Sequence, residues 1–256
     1  MSQMLDKLQT TYWSYAYLLR TQAPWWLMTQ RRVNHRRMVK AEGSLSEESL
    51  EVVGTMWRSA LKSRRFDVDW FSARVPSWVA LLDQTGIYAL ERPRCLEIGS
   101  WQGMSSLFLL SHLRNSVITC VDTWEGSPEH SGPASVEKSV VESIEERFDE
   151  NLAEFADRVR KFRGPSLAFF AQCSPDETYD FIYVDGSHHS DDVLCDAVLA
   201  FRLLATGGVM VFDDYLWRFF DTDVQNPAAA IHSFLRLKRR ELKVVAVGEQ
   251  MVIQKT

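Results

Sequence analysis

Five acidic residues sit at or near the ends of short apolar runs: Glu97, Asp122, Asp185 and the pair Asp213-Asp214. The runs are Cys95-Leu96-Glu97-Ile98, Val117 to Asp122, Phe181 to Asp185 and Val209 to Asp213. Asp185, Asp213 and Asp214 have no cysteine or multiple-histidine companions, and carboxylates grouped in this way suit a hard cation such as Mg2+. Magnesium there could bind a hydroxyl group, lower its pKa and hold its oxygen in line for attack. Adjacent acids on an extended strand point to opposite faces, so Asp213 and Asp214 can share an ion only if the chain has already turned. Tyr215 and Trp217 read as the start of a loop, which meets that condition. The plain alternatives are a solvated turn pair for Asp213-Asp214 and a helix cap for any single acid. Acids at the ends of all four runs point instead to a site.

Such residues converge only if the elements carrying them do. From about residue 76 the apolar runs alternate with helical stretches over Ser105 to Leu113, Ser135 to Phe155 and Asp191 to Leu204. In the last of these, Val193, Leu194, Ala197, Val198, Phe201 and Leu204 share a face, and Gly207-Gly208 are expected to stop the helix. The alternation predicts an α/β domain with a mostly parallel sheet covered by helices on both sides. Its ligand site would lie beyond the C-terminal strand ends, where the acids fall. Leu242 to Val247 and Gln250 to Gln254 read as a terminal hairpin turning at Gly248. Residues 1–75 contain no strand-like run. A helix is predicted from Ser46 through Leu50, Val53, Met56 and Leu61, with Glu47 and Glu48 at its positive end. The division is therefore a helical cap or lid region over 1–75 and one domain over 76–256.

Composition narrows the function classes. With 256 residues, 46% hydrophobic and 25% charged, the chain suits one sizeable domain and an appendage. A net charge of −5 argues against nucleic acid. The basic run Arg31 to Arg37 reads as a solvated helix face. Tyr12, Trp13, Tyr15, Tyr17, Trp25 and Trp26 enrich residues 11–28 in aromatics, but Arg20, Gln22 and Pro24 interrupt them, so no transmembrane segment is expected. That segment could serve internal packing, a lid or the interface of a homo-oligomer. The N-terminus lacks the pattern of a signal peptide. Cys95, Cys120, Cys173 and Cys195 show no metal-ligand spacing and read as reduced thiols, which predicts a cytoplasmic protein.

The first strand enters the turn Gly99-Ser100-Trp101-Gln102-Gly103 and then a helix, an arrangement that lets a ligand lie against bare backbone. A nicotinamide dinucleotide needs a second glycine where its pyrophosphate approaches, and Trp101 occupies that position. S-adenosylmethionine carries no phosphate and tolerates the substitution. Asp122 could accept hydrogen bonds from ribose hydroxyls in either ligand.

Taken together, Leu96 to Ser100 with Gly103, Val121-Asp122-Thr123-Trp124, Tyr183 to His188, Leu204 to Gly208 and Phe212 to Tyr215 resemble class I S-adenosylmethionine-dependent methyltransferases. More narrowly they are similar to the branch containing metal-dependent macrolide-sugar O-methyltransferases. The resemblance covers roughly residues 70–256 and implies a Rossmann-like fold with a seven-stranded sheet. It implies that Glu97, Gly99, Ser100 and Gly103 surround the methionine part of the cofactor and that Asp122, with Thr123 beside it, holds the ribose. Trp124, Gly164 and Ser166 fall near the adenine, the last two in the loop after the third strand. It also places Asp185 at the cofactor and makes Asp185, Asp213 and Asp214 the metal ligands. A base near His188 is implied by position, with His189 as its rival. The activity implied is methyl transfer to a hydroxyl of a small molecule such as a sugar, phenol or natural product. Trp101 and Pro165 depart from the commonest pattern. His130, in the loop Gly126 to His130, could belong to a lid or to an ordinary surface loop. Competing readings are a metal-independent N-methyltransferase, an NAD-dependent oxidoreductase and a non-catalytic binding protein.

Overall fold

A computed structural model of the chain describes residues 16–27, 47–127 and 136–256. The basic run 31–37, Ser46, His130 and the aromatic residues Tyr12, Trp13 and Tyr15 lie outside the described residues. Seven strands form one sheet: β1 (Arg94–Ile98), β2 (Val117–Asp122), β3 (Val159–Arg163), β4 (Tyr179–Val184), β5 (Leu204–Phe212), β6 (Leu242–Val247) and β7 (Met251–Lys255). Their order is β3-β2-β1-β4-β5-β7-β6, and only β7 runs antiparallel to its neighbours. The expected Rossmann-like methyltransferase sheet with its C-terminal hairpin is thus present.

The strands read as continuous apolar runs because both faces of the sheet are covered. Leu96, Ile98, Ile182, Val184, Met210 and Phe212 face one layer, with α7 (Ser190–Leu203) and α8 (Pro227–Leu237) packed over them. The residues between them in sequence, including Cys95, Phe181, Tyr183, Val209 and Val211, face the other layer. That layer contains α2 (Val75–Gln84), α3 (Met104–His112) and α5 (Ile144–Leu152).

Two sequence expectations need correction. Gly207-Gly208 do not stop α7, which already ends at Leu203 and passes directly into β5 at Leu204. The glycines form an irregularity inside the strand: Gly207 has φ +82°, and a Cβ on Gly208 would meet the Ala205 and Asp180 carbonyl oxygens at 2.9 and 3.0 Å. The β4–β5 register shifts at that point, between Tyr179 and Phe181, as a bulge requires. The predicted long helix over 135–155 is instead α4 (Lys138–Glu142) and α5, broken at Ser143. The Ser143 hydroxyl donates to the Val140 carbonyl at 3.1 Å, a local bond that competes with helical continuation.

The early part of the chain joins both core layers. Tyr17, Leu18 and Leu27 are buried on the α7–α8 side. Trp57 of α1 (Glu47–Leu61) is buried on the other side with Phe71 and Val75. His232, fully buried in α8, fixes the first contact. Its Nδ1 lies 3.0 Å from the Thr21 carbonyl, which can only accept, so Nδ1 carries the hydrogen. Nε2 then accepts from the Tyr215 hydroxyl at 2.7 Å. Burial lowers the His232 pKa from 6.5 to about 4.

Protons therefore bind the unfolded chain more readily than the folded one between those values. Stability should fall as the pH drops from 6.5 to about 4, with His232 contributing about 3 kcal/mol to the loss. Urea titrations of the parent and of His232→Gln across pH 4–7 should show the variant less stable at pH 7 and less sensitive to acid. Parallel pH dependences would remove His232 from this account.

Candidate functional site

β1 and β4 are neighbours, while the strands that follow each of them lie on opposite sides, so the crevice opens at their C-terminal ends. The two ends meet at backbone distance. Gly99 has φ +84°, and a Cβ there would fall 1.9 Å from the Asp185 carbonyl oxygen. Main-chain bonds join the neighbouring ends. The Asp185 N–H donates to Ile98, that of Gly99 to Val121 and that of Asp213 to Val184, at 2.8, 2.9 and 3.0 Å.

The turn after β1 is held from beneath by Asp122. One carboxylate oxygen accepts the N–H groups of Ser100 and Trp101 at 2.7 and 2.8 Å, and the other accepts that of Trp124 at 2.7 Å. A carboxylate has about four acceptor positions, so about one remains for a ligand hydroxyl. Trp101, at φ +46°, takes the left-handed conformation in a position where glycine would be easier. Its carbonyl accepts from the Trp124 indole at 2.9 Å. The fully buried Glu97 carboxylate accepts the hydroxyls of Ser105 and Ser106 in the first turn of α3. Burial raises its pKa. Gly103 lies where a Cβ would press on Phe148 and Leu152 at 3.1 Å.

The remaining cofactor candidates border the same end of the sheet. Thr123 and Trp124 follow directly on β2, and Trp124 is buried against Phe148. The Gly164 N–H donates to the Asp122 carbonyl at 2.8 Å. The Ser166 hydroxyl, at the start of α6 (Ser166–Phe170), turns to Asp196 of α7 at 2.5 Å.

The acids divide. Asp185, His188 and Asp214 can each place a ligand atom within 4.8 Å of the others. His188 Nε2 is 3.1 Å from an Asp214 oxygen and 3.8 Å from Asp185. Asp214 has φ +49°, so the chain has indeed turned after β5. The turn does not bring Asp213 into the group, as the sequence had suggested. Asp213 points to the Tyr183 hydroxyl, which donates to it, while its other oxygen accepts the Asp214 N–H at 2.8 Å. Asp185 is half-buried, its side chain 30% exposed. Desolvation and then the like charge of Asp213 push its pKa up to about 8, against the lowering effect of His188. Desolvation and Asp214 raise Asp213 as well. His189 lies apart, as the N-cap of α7.

Several contributors gave no local signal in the sequence. Gln102 exchanges hydrogen bonds with Asp67, at 2.9 Å to its N–H and 2.8 Å to its carboxylate. Asn151 donates to the carbonyls of Gln102 and Arg65, both at 3.0 Å. Arg74 pairs with Glu249, and its charge helps to hold Asp213 ionised. Each partner lies far away in sequence, where periodicity gives no guidance.

Residues 96–215 match a family model described as a methyltransferase domain. No curated protein sequence matches the chain. Among solved structures, TomG of Streptomyces achromogenes, an O-methyltransferase of tomaymycin synthesis seen with SAM, shares 17% identity at a TM-score of 0.52. The match covers 78% of this chain and 89% of that one. MycE, a methyltransferase of mycinamycin biosynthesis seen with Mg, SAH and mycinamycin VI, shares 16% at a TM-score of 0.51. That match covers 79% of this chain but only 54% of MycE. A Klebsiella pneumoniae protein described as an O-methyltransferase shares 15% at 0.50, covering 81% and 89%. Residues 96–215 are thus similar to a methyltransferase domain, and the chain shares its fold with these solved methyltransferase structures.

The contact between β1 and β4 permits only glycine at position 99. Gly99→Ala should lower stability by several kcal/mol, on the order of 3 or more, through backbone strain and displacement of Asp185. Urea unfolding checks this; a loss below about 1 kcal/mol would show that the turn adapts.

Proposed function

We propose that this protein transfers the methyl group of S-adenosylmethionine to a hydroxyl of a small molecule, with a divalent cation held at Asp185 and Asp214. The observation that carries the reading is the Asp185–His188–Asp214 group at the strand ends, across a backbone contact from the turn that begins at Gly99. Residues 1–75 act as the cap and 76–256 as the transferase domain. Among the described residues no helix is long and apolar enough to cross a membrane. Four free cysteines accord with work in the cytoplasm.

The turn suits a cofactor without phosphates. Two of its amide groups, at Ser100 and Trp101, are engaged by Asp122 and are not free to cradle a pyrophosphate. Gly99, Ser100 and Gly103 border the methionine part, with Glu97 holding the turn from within. Asp122 takes one ribose hydroxyl, next to Thr123, while Trp124, Gly164 and Ser166 shape the adenine end. The residues also fit a hard cation. Desolvation disfavours the charges of Asp185 and Asp213, and Asp185 and Asp214 both approach the His188 imidazole. A bound cation supplies Lewis acidity that makes an acceptor hydroxyl easier to ionise. Asp185 and Asp214 would hold it, with Asp213, which accepts from the Tyr183 hydroxyl and the Asp214 N–H, supporting Asp214 from below. His188 takes the proton from the hydroxyl as the oxygen–carbon bond forms and the sulfur–carbon bond breaks.

The 3.1 Å contact between His188 and Asp214 favours a second reading, in which this pair removes the proton with no cation. A chelator separates the two, since only the first predicts a loss of turnover. Calorimetry should first find one S-adenosylhomocysteine site per chain and none for NAD; no binding by folded protein would end both readings. Asp185→Asn should then reduce turnover about 100-fold or more with little change in S-adenosylhomocysteine affinity. His188→Ala should slow methylation by about 100-fold, most at low pH, where an unassisted hydroxyl is least ionised. A His188→Ala enzyme as fast as the parent at every pH would move the base elsewhere.

A further inference from the structure

Trp217, Phe219 and Phe220 follow the Asp213-Asp214 pair on the loop between β5 and α8, and nothing assigned above uses them. The Trp217 indole lies 4.8 Å from the His188 imidazole, centroid to centroid, tilted by 50°. Phe219 stacks on Trp217 at 5.4 Å and 14°, and Phe220 stands edge-on to His189 at 5.0 Å. These rings are not core. Phe219 is 47% exposed, and Trp217 and Phe220 are half-buried. A contiguous aromatic face beside a polar cluster marks a ligand site more often than scattered apolar residues do.

The face is fixed in place. Asn226, almost fully buried, accepts the N–H groups of Phe219 and Phe220 at 2.9 and 3.1 Å. Its amide donates to the carbonyls of Phe220 and Thr222 at 3.1 and 2.8 Å. The Trp217 N–H donates to the Asp214 carbonyl at 2.9 Å, tying the indole to the acid beside His188. Arg218, between the rings, is drawn off to the Tyr17 ring at 5.0 Å and towards Asp223 at 3.8 Å.

We infer that this aromatic face binds the acceptor and that the acceptor is an aryl alcohol, its ring on Trp217 and its hydroxyl at His188. The inference rests on the reading of Asp185, His188 and Asp214 as the methyl-transfer centre. Aromatic rings attract when their centroids are about 4.5–7 Å apart. A ring whose hydroxyl is held at His188 falls within that reach of the neighbouring indole. A sugar can also lie on an indole, but its several hydroxyls then need polar partners around its rim. The loop directs its one intervening charged side chain away from the face. The step balances as one bond formed and one broken. The aryl oxygen gains the methyl carbon, the sulfonium sulfur keeps the electron pair of its lost bond as S-adenosylhomocysteine leaves, and His188 receives the proton.

The test is calorimetry on the full chain saturated with S-adenosylhomocysteine, using 2-naphthol and methyl β-D-glucopyranoside as probes. Naphthol should bind and the glucoside should not. Trp217→Ala should weaken naphthol about tenfold or more, and Trp217→Phe by no more than about threefold. S-adenosylhomocysteine affinity should be the same in all three proteins, which shows that the variants are folded. Equal naphthol affinity in parent and Trp217→Ala would overturn the inference. So would glucoside binding without naphthol, or binding of neither probe while S-adenosylhomocysteine is bound. Failure to bind S-adenosylhomocysteine at all would instead remove the methyltransferase reading beneath it.

Discussion

The backbone contact between Gly99 and Asp185 is the constraint on which the site depends. Parallel neighbours in a sheet normally keep side chains between their loops, but here the end of β1 touches the end of β4 with no room for a Cβ. That approach places the turn after β1 directly beside the acid after β4. A cofactor on one and a nucleophile at the other can then meet without any further element between them. The order reversal in the sheet provides the crevice. Glycine provides the closeness, since φ +84° and zero side-chain volume are needed at one residue. Asp122 completes the arrangement by engaging two amides of the same turn, so the loop is fixed before a ligand arrives.

Charge is the second organising quantity. Asp185, Asp213 and Asp214 occupy a space that disfavours three negative charges, and the structure eases this by separating the adjacent pair. Asp213 stays with Tyr183 and near Arg74, where a hydroxyl and a guanidinium support it. Asp214 adopts the left-handed conformation, which aspartate tolerates better than bulky residues do, and turns to His188. A single turn thereby gives two neighbouring carboxylates different duties. One keeps to the Tyr183 hydroxyl and the other to the His188 imidazole.

Much of this was legible in the sequence, for a physical reason. Strands buried on both faces must be apolar throughout, so β1, β2, β4 and β5 stood out, and the acids at their ends marked the crevice. The direction of the acid side chains could not be read. Period-two alternation predicts opposite faces for Asp213 and Asp214, but the turn at Asp214 decides which one meets Asp185. His188 and His189 were likewise inseparable until the helix start was known, because the one that caps α7 is thereby drawn from the acids. Gly207-Gly208 misled because a glycine pair signals a helix stop and a strand bulge equally well. The braces Asp67–Gln102 and Asn151–Gln102 lie beyond any local pattern.

The described stretches of the early part of the chain, 16–27 and 47–75, pack onto both layers of the domain. They enter opposite core layers, one through Tyr17 and Leu18, the other through Trp57 and Phe71. On the first side Thr21 reaches His232 and through it Tyr215, the residue after Asp214. Arg20 pairs with Asp223 at the far end of the same loop. On the second side Asp67 holds Gln102 within the turn that follows β1. Each stretch therefore braces one wall of the crevice, the acid-bearing loop or the glycine-containing turn. Loosening either would alter the distance between the two walls without touching a reacting group. In a displacement that requires three atoms in line, that distance governs the rate as directly as the chemistry does.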